Sequence, residues 1–306
     1  MKNMMIFTPL CLTLCWMLSV DSKRIPLDMA DQSFDDMYDG CNDKASMDKI
    51  KEQFSKELTS GVYAQAWKKA QTCAVQKFNI RSTEDMNLTM DHMQAICVYT
   101  AIYAHLQFNT AVREQRKNYI KPFQFHILHF LLTTAIRILN PNHRCHITYR
   151  RTGVAFTGTL NQTIRFGFFA SSSYIINLTR FGNETCFKIE TCYGGYLKNY
   201  SQYDEQEVLI PPYEKFAIKD IVRPPRYIKG LKDCKTVYVL ESAGYKSNLN
   251  CNVFNPHPLT RIYWKANKIS WLARICRRIS PDWLVAEERA VWVSQLRHLP
   301  PRPDSG

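Results

Sequence analysis

The chain has 306 residues, 45% hydrophobic and 22% charged, a length and composition typical of one large or two small globular domains. This composition excludes a disordered chain and a membrane protein with many spans. The formal net charge of +13 favours anionic partners. It is not concentrated in a basic stripe, so we predict no nucleic-acid binding.

The first 20 residues are typical of a secretion signal. Lys2 supplies the positive charge, residues 4–20 form an apolar core, and polar residues follow from Asp21. The apolar stretch is short for a spanning helix, so we expect cleavage near residues 20–22. An uncleaved membrane anchor is the alternative.

If the chain is secreted, its glycosylation triplets and its cysteines can be interpreted. Glycosylation triplets begin at Asn87, Asn161, Asn177, Asn183 and Asn199, which together indicate an extracellular glycoprotein. Of the 11 cysteines, Cys11 and Cys15 lie in the signal, which leaves an odd number in the mature chain. No paired CxxC motif is present, so we expect disulfides rather than a zinc site. Because the number of cysteines is odd, at least one is free or pairs with another chain.

After the signal, the predicted secondary structure changes from helices to strands along the chain. Residues 43–140 have a helical pattern, strongest over 90–110 and 123–139, and Asn140-Pro141-Asn142 ends it. Short apolar or alternating runs then predict strands at 145–149, 163–169, 185–191, 207–210, 217–222 and 236–242. This order predicts an α+β fold.

Residues 257–306 form a separate basic tail, rich in Trp and Arg, to which no role can be assigned. Short amphipathic helices are predicted at 271–278 and 284–296. No uninterrupted apolar stretch is present there, so we expect neither a C-terminal span nor a lipid-anchor signal. The predicted folded domain is therefore 21–256.

Three strand-borne elements could carry chemistry. Arg150 near a strand end could fork onto a phosphate, although a solvated arginine is the simpler interpretation. Ser171, Ser172 and Ser173 follow an aromatic strand, as in many ordinary turns. No GxSxG motif surrounds them, so a hydrolase nucleophile is not indicated. Glu205 and Glu207 precede an apolar run and would share one face of a strand, although an isolated ExE is usually a solvated acidic turn.

The order of these elements changes their interpretation. Tyr149-Arg150, then Phe169-Ala170-Ser171, then Glu205-x-Glu207 resembles the arginine-serine-glutamate pattern of the vertebrate arginine-specific ecto-mono-ADP-ribosyltransferases. The resemblance extends over residues 27–254, including 27–41, 98–100, 108–113, 129–133 and 240–251. It implies a helical N-terminal part followed by two packed, roughly perpendicular sheets with an NAD cleft between them. No GxGxxG fingerprint suggests a doubly wound alternative.

The resemblance also implies roles for the polar residues. Glu207 matches the catalytic glutamate, which would stabilise an oxocarbenium-like transition state when the bond between nicotinamide and ribose breaks. Glu205 matches the glutamate used for arginine acceptors, where a carboxylate can orient a guanidinium and accept its proton. Arg150 would bind the NAD phosphate and Ser171 the nicotinamide ribose. Ser172 or Ser173 could take the place of Ser171.

Two further NAD contacts follow from the resemblance, at Tyr99 in the helical part and at Ser201 before the ExE motif. Residues 193–204 would present the acceptor, and their tyrosines could stack on a ligand or cover the strand. Phe168 departs from the family, which often has glutamine there, and a lost amide contact could weaken NAD binding or leave it unchanged.

For the cysteines, the resemblance implies the disulfides Cys41–Cys251 and Cys145–Cys192, each contributing about 2–4 kcal/mol. Partners for the other cysteines stay open. The predicted substrates are NAD, with NADP as an alternative, and arginine-bearing extracellular proteins. We expect a secreted monomer that needs no metal.

Four functions are compatible with some of these features. The preferred one is arginine-specific mono-ADP-ribosyl transfer. The second is NAD hydrolysis, in which water replaces arginine and against which the intact Glu205 argues. The third is a catalytically silent binding glycoprotein, which Arg150, Ser171 and Glu207 argue against and Phe168 favours. A basic nucleic-acid binder lacks both a charged patch and a suitable compartment.

Overall fold

The computed structural model describes residues 24–101, 104–116 and 123–254. The predicted signal at 1–20, the basic tail at 257–306 and Cys276 lie outside the described residues. None of the helices within the described ranges combines the length and hydropathy that crossing a lipid bilayer requires.

Helices occupy the first half of the described chain. They are α1 (Lys44–Gln53), α2 (Gly61–Lys69), α3 (Gln71–Asn79), α4 (Met90–Thr100), α5 (His105–Glu114) and α6 (His126–Leu139). The predicted helical region begins and ends as expected, because Asp43 caps α1 by accepting a 2.8 Å hydrogen bond from the amide of Ser46. Asn140 ends α6, and its side-chain amide donates to the carbonyl oxygens of Arg144, Cys192 and Gly194.

Strands follow in the second half, after a short N-terminal strand. They are β1 (Ile25–Pro26), β2 (His146–Thr152), β3 (Phe156–Thr157), β4 (Thr163–Ile164), β5 (Ala170–Ser173), β6 (Thr185–Thr191), β7 (Gly195–Tyr196), β8 (Glu207–Ile210), β9 (Glu214–Val222) and β10 (Thr236–Tyr245). The predicted strand at 163–169 is too long. It stops at Ile164, and Gly167, inside the predicted run, has a φ of +71°, which a continuous strand does not allow.

The α+β order is confirmed, with one difference in the sheets. Among the described residues, the strands form one mixed eight-stranded sheet in the order β4-β9-β10-β6-β2-β5-β8-β7, and β1 pairs separately with β3. The two halves of the large sheet, which the resemblance implied would be separate, are joined where β2 meets β5. That junction is a single residue pair, Tyr149 opposite Ser173.

This junction brings the predicted functional residues onto neighbouring strands. Arg150 lies on β2, Ser171 on β5 and Glu207 at the start of β8. Ser173 pairs with Tyr149 on one side and with Glu207 on the other. Hydrophobic residues of α4, α5 and α6 pack in one core with Phe169, which precedes β5, and with the β8 side chains Leu209 and Ile210.

Four disulfides brace the fold. Cys41–Cys251 and Cys145–Cys192 form as the resemblance implied, and Cys73–Cys97 and Cys186–Cys234 are additional. Cys41–Cys251 joins residues 210 apart in sequence and so ties the two ends of the described chain together. Four such bonds indicate that this part of the chain folds in an oxidising compartment.

Candidate active site

A cleft opens where β2, β5 and β8 meet the C-terminal end of α4 and the start of α5. Tyr99, Arg150, Ser171, Glu205 and Glu207 all line it, so the structure brings together five of the six predicted site residues. The cleft wall is completed by Thr100, Ala101, His105, Leu106, Tyr149, Arg151, Ser172, Ser173, Ile175, Leu178, Phe181 and Tyr203.

Glu207 is a buried carboxylate at the floor of this cleft, with 7% of its surface exposed. The hydroxyl of Ser201 donates a 2.9 Å hydrogen bond to its Oε2. Burial raises the pKa of Glu207, and the nearby charge of Glu205 raises it further. Hydrogen bonds from Ser171 and Ser201 act in the opposite direction. A carboxylate held in this way is suited to interact with a transient cation.

Glu205 reaches the cleft by a different route from the one predicted. β8 begins at Glu207, and Gln206 has a left-handed φ of +47°, so the two glutamates are not strand neighbours on one pleated face. A turn before β8 carries Glu205. The hydroxyl of Ser173 donates to its carbonyl oxygen, and Nη2 of Arg180 donates to its carboxylate.

Arg150 crosses from β2 toward β5. Its Nη1 donates a 2.7 Å hydrogen bond to the carbonyl oxygen of Ser171. Its guanidinium carbon lies 5.9 Å from the centre of the Phe168 ring, within reach of a cation–π interaction. Phe168, the residue that departs from the family pattern, therefore contacts the predicted phosphate-binding side chain and is itself buried.

The three serines have different surroundings. The Ser172 hydroxyl donates to the carbonyl oxygen of Val208 at 2.9 Å, and the Ser173 hydroxyl donates to that of Glu205. The Ser171 hydroxyl instead lies 3.4 Å from the Tyr99 hydroxyl, and its interaction with the Glu207 carboxylate lowers the pKa of that group. Of the three serines, Ser171 is the one that influences the pKa of Glu207.

Tyr99, on α4, forms a hydrogen bond to the main chain just before β5. Its hydroxyl donates to the carbonyl oxygen of Phe169 at 2.5 Å, and the side-chain amide of Asn109 donates to both the Tyr99 hydroxyl and the same carbonyl. Asn109 and the neighbouring His105 were assigned no role from the sequence. Their local pattern is that of an ordinary amphipathic helix, so only the tertiary contacts reveal them.

Ser201 is the predicted residue that does not line the cleft. It is buried behind Glu207, in the segment 193–204 that was predicted to present the acceptor. This segment is docked on the helical half, because Tyr200 and Lys198 both bond to Asp85 at 2.7 Å. Tyr203 faces the cleft, whereas Tyr200 is buried against the protein.

One group in the described part of the chain has metal-ligand spacing, formed by Cys145, Glu190 and Cys192. The two cysteines are joined in a disulfide, so neither offers the thiolate that a metal ion binds. The cleft itself presents carboxylates, hydroxyls and a guanidinium group.

Comparison with known proteins identifies the family of this chain. The model of the family NAD:arginine ADP-ribosyltransferase matches residues 27–229. The erythroblast NAD(P)(+)--arginine ADP-ribosyltransferase of Gallus gallus is 34% identical over 238 residues, covering 75% of this chain and 76% of that protein. The GPI-linked NAD(P)(+)--arginine ADP-ribosyltransferase 1 of Homo sapiens is also 34% identical, over 85% of this chain and 88% of that protein.

A solved structure shares the fold. The eukaryotic mono-ADP-ribosyltransferase ART2.2, crystallised as a mutant in complex with NADH, superposes with a TM-score of 0.62 at 30% identity, covering 74% of this chain and 98% of that one. Together with the match over residues 27–229, these similarities show that the chain belongs to the NAD:arginine ADP-ribosyltransferase family.

Proposed function

We propose that this protein transfers ADP-ribose from NAD to arginine side chains of extracellular proteins and releases nicotinamide. The observation that carries the proposal is the meeting of Arg150, Ser171, Glu205 and Glu207 in one cleft of a family member. The NAD-bound state of the similar solved structures and the names of the relatives support NAD, with NADP as an alternative, as the substrate.

In the proposed first step, the bond between ribose C1′ and the nicotinamide nitrogen breaks. The nicotinamide leaves as a neutral molecule with the bonding electrons, and positive charge develops on the ribose. Glu207, ionised and oriented by Ser201, holds the ribose and stabilises that charge. Arg150 binds the phosphate of NAD, and Ser171 lies beside the nicotinamide ribose.

In the proposed second step, a guanidine nitrogen of the acceptor attacks C1′. The acceptor guanidinium is fully protonated in water, with a pKa above about 12, so the attacking nitrogen has to lose a proton. Glu205, 17% exposed at the rim of the cleft, orients the guanidinium and accepts that proton. Glu207 therefore stabilises the ribosyl cation in the first step, and Glu205 binds the acceptor guanidinium in the second.

The roles of Tyr99 and Ser201 are proposed to be mainly positional. Tyr99 holds the main chain that leads into Ser171, and Ser201 holds Glu207. We further propose that residues 21–256 are the catalytic domain of a secreted enzyme acting as a monomer. The disulfides support an extracellular location.

The second candidate is NAD hydrolysis. The hydrogen bond from Ser201 to Glu207 does not involve Glu205, so water could replace arginine after nicotinamide leaves. Both activities could therefore reside in the same cleft. Glu205 would then set the ratio of transfer to arginine over hydrolysis.

Labelled NAD with agmatine, a small guanidine acceptor, tests the proposal. Glu207→Ala should abolish both transfer and hydrolysis, whereas Glu205→Gln should lose transfer and keep some hydrolysis. Glu241→Gln is the matched control, since Glu241 pairs with Lys219 at the surface and does not line the cleft. The absence of any nicotinamide release from the wild-type protein would refute the enzymatic function and favour a binding glycoprotein.

A further inference from the structure

The carboxylate of Glu205 already has a guanidinium partner within the chain. Nη2 of Arg180 donates a hydrogen bond to Oε1 of Glu205, and the two side chains are 32% and 17% exposed. The residues are 25 positions apart and come from different loops. Local sequence spacing therefore does not impose the pair.

The backbone around Arg180 holds this side chain at the cleft. Arg180 lies in a 3₁₀ turn, Thr179–Phe181, between the cleft-lining residues Leu178 and Phe181. Its guanidinium carbon lies 4.7 Å from the centre of the Phe181 ring. Gly182, with a φ of +113°, packs so closely on the end of β2 that an added Cβ would lie 2.4 Å from the amide nitrogen of Gly153.

We propose that Arg180 is an internal occupant of the acceptor site, competing with incoming arginine for Glu205. This inference rests on the proposed function, specifically on Glu205 as the carboxylate that binds the acceptor guanidinium. An arginine binds a carboxylate through directed N–H donors, so two guanidinium groups compete for the same oxygen positions. An acceptor must displace Arg180 before its own nitrogen can be oriented for attack.

The strength of the pair defines the size of the effect. Partly exposed ion pairs are weak, and the energy measured for such pairs corresponds to a two- to fivefold change in an equilibrium constant, as an order of magnitude. Arg180 therefore raises the KM for small acceptors without blocking the site. It favours acceptor proteins whose additional contacts offset the displacement, and so acts as a specificity-determining residue.

The test compares KM values for agmatine at saturating NAD, using the secreted full chain. Arg180→Ala should lower the agmatine KM about two- to fivefold. Arg180→Lys, which keeps the charge but lacks the planar fork, should give an intermediate value. Arg226→Ala is the matched control, because it removes the same charge from an exposed pair with Asp220 that does not line the cleft. It should leave the agmatine KM unchanged.

Three outcomes would overturn the inference. An unchanged or higher agmatine KM in Arg180→Ala would mean that Arg180 does not compete with the acceptor. A higher KM for NAD alone would assign Arg180 to the nucleotide. An equal fall in Arg226→Ala would mean that net charge, rather than displacement at Glu205, sets the affinity. Release of no nicotinamide by the wild-type protein would refute the proposed function itself. Release of nicotinamide with an unchanged agmatine KM in Arg180→Ala would refute only the role of Arg180.

Discussion

The hydroxyl of Ser201 donates a 2.9 Å hydrogen bond to Oε2 of Glu207, and both residues are buried. Ser201 belongs to the segment that leads into β8, so the chain orients Glu207 with a residue only six positions upstream. The same segment is docked on the helical half through Asp85. Packing of the helices thereby controls the orientation of the carboxylate.

We predict that Ser201→Ala lowers kcat for nicotinamide release about 10- to 100-fold, the usual value of a hydrogen bond to a charged group. This substitution also destroys the glycosylation triplet that begins at Asn199. Asn199→Gln removes the triplet and keeps the hydroxyl, so it separates the two effects. Ser201→Thr keeps both and should restore most activity. A loss of equal size in Asn199→Gln would contradict the role of the hydrogen bond.

The pH dependence of NAD hydrolysis should report the pKa of Glu207. Burial raises this pKa above the ordinary glutamate value of 4.5, and the active form is the ionised carboxylate. Activity should therefore be lost as the pH falls through a value above 4.5. Since the charge of Glu205 also raises the pKa of Glu207, Glu205→Gln should move the acid limb of kcat/KM to lower pH.

Glu241→Gln serves as the charge-matched control for this pH shift. Glu241 forms a half-exposed pair with Lys219 outside the cleft, so its loss should leave the acid limb in place. A shift to higher pH in Glu205→Gln would show that the two carboxylates do not interact as the structure indicates.

Phe168 is predicted to support NAD binding through Arg150. Phe168→Leu removes the ring that lies 5.9 Å from the guanidinium and should raise the KM for NAD about two- to fivefold, with a smaller effect on kcat. Phe156→Leu is a comparable change of a buried phenylalanine that packs on Phe187 instead. If both substitutions raise the KM equally, general loss of packing rather than contact with Arg150 is responsible.

Glu214 is predicted to make stability depend on pH. It is buried, and burial raises its pKa to about 7, although it accepts hydrogen bonds from Thr191, Ser242 and the amides of Cys192 and Tyr193. The folded state therefore holds a proton that the unfolded state releases near pH 4.5. Between these pH values the contribution of Glu214 to the free energy of unfolding should fall as pH rises, by about 3 kcal/mol in total.

Thermal unfolding of Glu214→Gln at pH 5 and pH 7.5 tests this prediction. The amide oxygen can accept the bonds made to Oε1, while the amide nitrogen can donate to the hydroxyl of Thr191. Buried His92 and His129 act in the opposite direction, because burial lowers their pKa to about 4 and about 3, so the contribution of Glu214 is read from the difference between the variant and the wild type. Relative to the wild type, Glu214→Gln should be more stable at pH 7.5 than at pH 5, whereas Glu241→Gln should show no such change. A difference between Glu214→Gln and the wild type that is the same at both pH values would contradict the assignment.

Much of the fold could be predicted from local patterns. Apolar periodicity identified the helical half, and the strands at 185–191 and 207–210 have the predicted bounds. These patterns are local because helix and strand periods repeat within a few residues. The run at 163–169 misled the prediction, since its strand composition does not reveal that Gly167 takes a positive φ against Ala30.

The sequence by itself determined the family and the chemical types at the site, because Arg150, Ser171 and the two glutamates occur in a specific order that chance rarely produces. Tertiary structure decided how they are arranged. The left-handed Gln206 places Glu205 on a turn instead of a strand, and Arg180 comes from a separate loop to meet it. The physical reason is that such contacts depend on packing between distant segments, which residue spacing along the chain does not encode.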